Sequence, residues 1–441
     1  MNVLSLRTIV HEVPVRVGDG LRTIRAHVGL TRPDENQPLA AGLPPVLLLG
    51  GEVNALSVAR DLGRMGVTVY AVGSADSCVK HSKYVRWVDV DLAGGAAAGV
   101  EGAWAAFLLG PASDHLRGAV VLACCDAGIR VLAAHRDALL KRFKLDTSDP
   151  HAQIGMLDKL TTYEHAAKAG VCTPLFWAVA SRERPIAVRD ELVYPLIVKP
   201  RLSHVFEDRF GTKHVVANAF EDVVAAFDAA HEATIDVLLV EMIPGGDDRL
   251  CSYFTYVDAD GTVLLDYTKS VLRRYPAGIG AACYHITEWI PEIVQPSRRL
   301  LRQSGLLGLA NIEYKCDPRD GRYKLIECNG RFAGSNCLVT ASGCNLAALA
   351  YNRIVGRPHK VPRRFKGGMR MWDPVRDFFA FRERQKNGEL SLLTWLISIC
   401  HRQTFPVFRW SDWRPGWARA VRMFRSARAS RVKAVQAGPT C

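Results

Sequence analysis

The sequence predicts an α/β protein: an open parallel sheet first, then an α+β region built on antiparallel hairpins, then a helical, basic C-terminal region. Three observations predict it. The apolar run Val46–Leu49 shows no polar alternation, and a Gly-Gly turn, an amphipathic stretch and a second apolar run follow it, which makes a strand–helix–strand unit. Two later stretches read as hairpins that turn at Asp-Ala-Asp-Gly (258–261) and Asp-Pro-Arg-Asp-Gly (317–321). Beyond position 360 there are 17 basic and five acidic residues, while positions 1–360 hold 40 basic and 39 acidic ones. The net charge of +13 therefore belongs almost wholly to the last 81 residues, and the main body has no need of a polyanionic partner.

At 441 residues the chain is long enough for several cores. Residues 1–44 form an extension with two short strand patterns, Glu12–Val17 and Thr23–Val28, and a Pro-rich linker after them. The sheet domain covers 45–150. Within it Val46–Leu49 is a strand, Ala55–Met65 a helix closed by Gly66, and Val67–Val72 the next strand, with further strands expected at Trp87–Val90, Ala119–Ala123 and Arg130–Leu132. Gly50-Gly51 lacks the Gly-x-Gly-x-x-Gly spacing, and no acid ends the second strand, so dinucleotide binding is not expected there.

Ser148-Asp149-Pro150 opens the next region, 151–360, with a helix-start signal, and the helical pattern runs through Ala169 to Gly170. Strands follow at 194–200 and 237–241, the second running into a Gly-rich turn, and the two hairpins come after them. A helix ending at Gly356 closes this region. The last part, 361–441, is rich in tryptophan (Trp372, Trp395, Trp410, Trp413, Trp417) and arginine. Its composition suits a helical appendage packed on the body, peripheral contact with an anionic membrane surface, or polyanion binding; no nucleic-acid module is present, so no nucleic-acid partner is expected.

Twelve cysteines are scattered without zinc-like spacing, and neither a leader pattern nor a membrane-length apolar run stands out. A cytoplasmic protein with buried thiols is expected, with a homodimer as the commonest oligomer.

The chemistry-bearing residues gather in the second half. Glu313 and Glu327 lie on strands joined by a hairpin, so they can share one face. Two carboxylates so close repel unless a cation separates them, and Mg2+ takes one or two carboxylates together with phosphate oxygens. Asn329 follows on the same face as a further oxygen donor, and Arg331 continues it with a fork suited to phosphate or carboxylate. Lys199 ends an apolar strand, where it can reach a phosphate; Lys159 opens a helix. Glu241, Met242 and Ile243 lead into a turn that offers backbone groups to an adenine edge. Asp247 and Asp248 are equal candidates to accept from ribose hydroxyls.

In order, Asp-Lys (158–159), Val-Lys-Pro (198–200), Val-Glu-x-Ile-Pro-Gly (240–245), Asn-x-Glu (311–313) and Glu-x-Asn-x-Arg (327–331) resemble the ATP-grasp superfamily, and within it the carboxylate–amine ligase branch that includes D-aspartate ligase. The resemblance spans about residues 45–360. It implies a pre-ATP-grasp domain ahead of a two-lobed ATP-grasp fold. It further implies Lys159 and Lys199 on ATP phosphates, Glu241 and the following backbone at the adenine, and Asp247 or Asp248 at the ribose. Two Mg2+ ions, or Mn2+ in their place, would sit on Glu313, Glu327 and Asn329, with Arg331 stabilising the transferring phosphoryl group. Lys269 or Arg273 could reach the phosphates, and Gly278, Gly280 and 334–336 could line a substrate pocket. The expected reaction activates a carboxylate as an acyl phosphate for attack by an amine, both small molecules. The alternatives are a carboxylase-like or carbamoyl-phosphate-synthase-like protein, or a non-catalytic ATP-binding regulator. One departure stands out: the lid after the second lysine, residues 201–214, has Gly211 as its one glycine, leaving His204 or Lys213 as phosphate contacts.

Overall fold

In the computed structural model, which describes residues 9–17, 20–30, 42–90, 99–179, 181, 183–202, 209–210, 212 and 214–423, three β-sheets carry the chain. The first has six strands: β1 (Ile9–Val17), β2 (Gly20–Leu30), β3 (Val46–Leu49), β4 (Val69–Val72), β5 (Val85–Val90) and β6 (Val120–Ala123), in the order β1-β2-β5-β4-β3-β6. Strands β3 to β6 run parallel, and every side chain of β3 is buried, as expected for a strand covered on both faces. The two strand patterns of the N-terminal extension form an antiparallel hairpin, β1–β2, whose second strand pairs with β5. The strand expected at Arg130–Leu132 is instead part of the helix Asp126–Ala134. Cys125 caps that helix through its sulfur, and the buried positions 128, 129, 131 and 132 follow helical spacing, so the apolar run packs as a helix face.

The helical pattern from 150 to 169 is broken at Asp158. Pro150–Leu157 is one helix, capped by Asp149; Lys159–Lys168 is a second, capped by Asp158, whose carboxylate accepts from Leu160 N at 2.9 Å. The extended backbone of Asp158 makes Lys159 the first helical residue.

A four-stranded antiparallel sheet follows: β7 (Phe176–Val179), β8 (Leu196–Pro200), β9 (Val215–Ala217) and β10 (Val237–Glu241), in the order β7-β10-β8-β9, backed by the helix Phe220–Glu232. The third sheet holds β11 (Leu250–Val257), β12 (Tyr267–Tyr275), β13 (Ala281–Thr287), β14 (Gly308–Cys316), β15 (Tyr323–Asn329), β16 (Arg370–Trp372) and β17 (Gln403–Thr404). Its order is β15-β14-β11-β12-β13-β16-β17, so both expected hairpins, β11–β12 and β14–β15, are adjacent pairs within it.

One core joins the first and third sheets. Val46, Leu48 and Leu56 pack in the same buried cluster as Phe254, Tyr267, Phe332 and Tyr351. The C-terminal region, set apart in the sequence by its charge, adds β16 and β17 to the third sheet and contributes the helices Pro374–Lys386 and Leu392–Ile399. Trp372 and Trp395 each donate an indole N–H to Asp377, at 2.8 and 2.9 Å, whereas Trp410, Trp413 and Trp417 are exposed. Among the described residues no helix is long and apolar enough to cross a membrane.

Candidate active site

The third sheet presents one row of side chains across four strands. Glu327 on β15 is registered with Glu313 on β14, Glu313 with Ser252 on β11, and Ser252 with Lys269 on β12. Registered residues on adjacent antiparallel strands point to the same side. That side faces a cavity of about 600 Å³ between the third sheet, the four-stranded sheet and the first domain. Lys159 and Lys199 line it from the opposite wall. Arg331 and Asp126 line it where the first domain meets β15.

Charge in the cavity is held by mutual compensation. Burial pushes the Glu313 carboxyl above its ordinary range, and the nearby Glu327 charge adds to this. Burial also acts against ionised Glu327, but Lys159, a 2.9 Å hydrogen bond from Asn329 Nδ2, Arg331 and Lys199 outweigh it and hold that carboxyl low. Lys159 and Lys199 are both pulled down to about 8, chiefly by loss of water, with Glu327 opposing. Lys199 Nζ donates to Tyr163 Oη at 2.8 Å, and Tyr163 in turn donates to Ile326 O, so the lysine is fixed from the helix below it. Lys269 is also lowered by burial and lies 3.2 Å from Nδ1 of His285, which burial holds well below its usual value and hence neutral. Arg331 forms an ion pair with Asp126 at the start of the helix Asp126–Ala134.

Eight residues expected at the site line this one cavity: Lys159, Lys199, Lys269, Glu241, Glu313, Glu327, Asn329 and Arg331; Met242 and Ile243 join them. The Glu241 side chain is committed elsewhere. It accepts from Leu175 N at 3.0 Å and pairs with Arg319 and Lys324, leaving the backbone of this stretch to face the cavity. Lys315 Nζ donates to the carbonyls of Ile243 and Gly245, both at 2.8 Å, and so fixes the turn after β10.

Three expectations are corrected. Arg273 does not face the cavity. Strict alternation puts residues 269, 271 and 273 on one face, but the β12–β13 register shifts between Val271 and Arg273 and again between Arg273 and Arg274. The extra residue of a bulge turns the strand, and Arg274 lines the cavity while Arg273 points away into a bidentate pair with Asp377, at 2.6 and 2.9 Å. Asp247 and Asp248 are not among the lining residues. Asp247 is buried, accepting from Gly278 N at 3.1 Å and from Arg384 at 3.1 Å, so it fastens loops together; Asp248 is exposed beside it. Lys213 and His204 lie outside the described residues.

Sequence reasoning missed Asp126, Tyr163, Arg274, His285, Lys315, Asp373 and Arg376. Tyr163 follows Lys159 by one helical turn, a spacing that could have flagged it. Asp126 comes from a different domain and carries no local signal.

A family model described as "ATP-grasp in the biosynthetic pathway with Ter operon" matches residues 267–373, the stretch that carries Lys269, both glutamates, Asn329 and Arg331. Over that stretch the chain is similar to ATP-grasp proteins. Among its relatives is the D-aspartate ligase of Enterococcus faecium (strain Aus0004), 26% identical over 268 residues, which are 56% of this chain and 61% of that ligase. The chain thus matches under two thirds of that relative's length. Solved structures share the ATP-grasp fold. The biotin carboxylase of Campylobacter jejuni, bound to a β,γ-ATP ligand, superposes with a TM-score of 0.59 at 15% identity, covering 75% of this chain and 74% of that one. An L-amino acid ligase from Bacillus licheniformis gives 0.52 at 18%, covering 71% and 75%. An ADP complex of an N5-carboxyaminoimidazole ribonucleotide synthetase gives 0.55 at 16%, covering 74% and 80%.

Proposed function

We propose that this protein is an ATP-dependent carboxylate–amine ligase. The observation that carries the reading is the pair Glu313–Glu327, registered across β14 and β15 on the wall of a cavity whose other side supplies Lys159 and Lys199. In the reaction, a carboxylate oxygen of the acid attacks the γ-phosphorus of ATP and the bond to ADP breaks. The resulting acyl phosphate is attacked at its carbonyl carbon by the amine. The carbon–oxygen bond to phosphate breaks, phosphate leaves with the electron pair, and the amine gives up a proton.

The backbone of Glu241–Ile243 supports a place for the adenine. Lys159 and Lys199 neutralise phosphate oxygens, a role their burial strengthens because little water screens them. Lys269 and Arg331 stabilise the charge that builds on the transferring phosphoryl group. Among the described residues no cluster of three or more His, Cys, Asp or Glu side chains could hold a metal by itself. Two buried carboxylates and an amide suit a hard cation that keeps phosphate oxygens as its remaining ligands, so Glu313, Glu327 and Asn329 would hold two Mg2+ ions, or Mn2+, arriving with the nucleotide. When bound, such ions supply charge neutralisation at the phosphates. The carboxylase and synthetase neighbours, all under 25% identical, speak to fold alone. The remaining exposed tryptophans and basic tail support a peripheral contact with anionic lipid as part of this reading, and co-sedimentation with phosphatidylserine vesicles tests it.

The test is ADP release that requires both an acid and an amine, scored in wild type and Glu327→Ala. The variant is expected to lose at least about a hundredfold in turnover while remaining folded. Turnover within about threefold of wild type would remove the cation assignment and the reading with it.

A further inference from the structure

The cavity extends beyond the phosphoryl-transfer centre. The loop after Arg331 leads to Gly334 and Ser335, and Cys337 Sγ then lies 3.3 Å from Met371 Sδ on β16. Past β16 the wall continues with Asp373 and Arg376, at the start of the helix Pro374–Lys386.

Asp373 occupies the N-cap position, where an aspartate ordinarily accepts from a backbone N–H of the first turn, yet it makes no such bond. It is 8% exposed, and Oδ2 accepts from Arg419 at 2.6 Å. Its Oδ1 accepts from none of the described residues, and Asp373 is part of the cavity wall. Three arginines line the cavity. Arg331 is committed to Asp126, and Arg274 donates to the carbonyls of Gly280 and Gly278, at 2.8 and 2.9 Å. Arg376 alone of the three has no acceptor among the described residues, and it does not pair with Asp373 although one helical turn separates them.

We propose that Asp373 and Arg376 form the subsite for the amine substrate, and that this substrate is an amino acid or another amine carrying its own carboxylate. The proposal rests on the ligase reading above. A guanidinium fork without a protein acceptor matches a carboxylate, and a carboxylate oxygen without a protein donor matches an amino group. The acid to be activated needs cations at the phosphoryl centre, and Lys269 and Arg331 are already there. A separate pair of opposite charges, unclosed on itself and farther along the same cavity, therefore falls to the second substrate. Asp373 orients the amine, and Arg419 holds one of its oxygens while leaving the other without a protein donor among the described residues.

The test uses full-length protein, Mg·ATP and a matrix of small carboxylic acids against amines. The amines are common L- and D-amino acids, their carboxamides, and simple alkylamines and polyamines; ADP release is the readout. Amino acids are expected to support turnover and their carboxamides to fail. Arg376→Ala is expected to raise KM for the amine at least about tenfold with KM for ATP unchanged, and Arg376→Lys to recover part of the loss. Because Arg376 is exposed and unpaired, both variants fold. Asp373→Asn should raise the same KM. Turnover of carboxamides or alkylamines equal to that of amino acids, or an unchanged amine KM in Arg376→Ala, overturns the subsite and leaves the ligase reading standing. Absence of ADP release with every acid–amine pair, in protein that Mg·ATP still stabilises against heat, overturns the ligase reading and the subsite together.

Discussion

At the scale of single residues, the site works through lysines kept out of water. Lys159 and Lys199 have pKa values lowered to about 8 from the ordinary 10.5 of a lysine, burial being the largest cause. The folded chain thus binds these protons more weakly than the unfolded chain. Their protonation cost is fully present below about pH 8 and is relieved as pH rises toward the unfolded value, so the protein without nucleotide gains stability over that window. Nucleotide reverses the sign, because phosphate favours the ammonium forms. Heat stabilisation by Mg·ATP is therefore expected to be largest near pH 7 and to shrink markedly by about pH 9, with proton uptake on binding at about pH 8.5. Lys199→Met should flatten much of this dependence. A wild-type shift in melting temperature that is constant from about pH 7 to pH 9 would place these lysines away from the phosphates.

At the scale of elements, hairpins were legible and a bulge was not. The pairing of Glu313 with Glu327 follows from turn residues and alternation alone, and the strand pattern reported it. The extra residue in β12 has no such mark: Val271-Leu272-Arg273-Arg274 reads as ordinary strand, and only packing against the C-terminal helix decides which arginine turns in. The break at Asp158 and the helix at Arg130–Leu132 were hidden for a related reason, since capping and tertiary packing overrode the apolar pattern. The bulge makes adjacent arginines separable by experiment. Arg273 is 7% exposed in its side chain and its partner Asp377 not at all; Asp377 also accepts two indole N–H groups. Asp377→Ala leaves a buried guanidinium uncompensated and is expected to cost about 3–5 kcal/mol in urea unfolding, and Arg273→Ala a similar amount. Arg274→Ala should instead lower kcat/KM at least about tenfold with a smaller change in unfolding midpoint. The reverse pattern, activity lost with Arg273 and stability lost with Arg274, would mean that strict alternation holds along β12.

At the scale of the whole molecule, charge composition divides the chain where packing does not. The basic stretch from 361 onward looked like an appendage because its exposed faces carry its arginines. Its buried atoms belong to the body. Arg60, on the first helix of the parallel-sheet domain, is 1% exposed and pairs with Asp412 at 2.8 Å, while also donating to the carbonyls of Val407 and Asp412. Ser82 Oγ and Lys83 N donate to the same carboxylate, at 2.8 and 2.9 Å. The first domain is tied a second time through Asn54 to Phe332 O, at 2.9 Å, and a third through Asp126 to Arg331. The C-terminal region thus links the sheet that carries the glutamates to the domain that holds Arg331 in place. Chain ending at residue 360 would lose β16, Asp377 and Asp412 at once, exposing Arg273, Tyr284 and Arg60; it is expected to be insoluble or to unfold non-cooperatively. The milder Asp412→Ala separates this from loss of the substrate wall. It removes the carboxylate acceptor of a buried arginine, neither of the two residues lining the cavity, and should cost about 3–5 kcal/mol in unfolding. Activity per folded molecule should fall only as far as Arg331 is displaced, which raised KM for ATP at constant pH would report. A soluble, cooperatively folding 1–360 chain with wild-type nucleotide affinity would show that the two halves of this arrangement are independent, and that the link through Arg60 carries no weight.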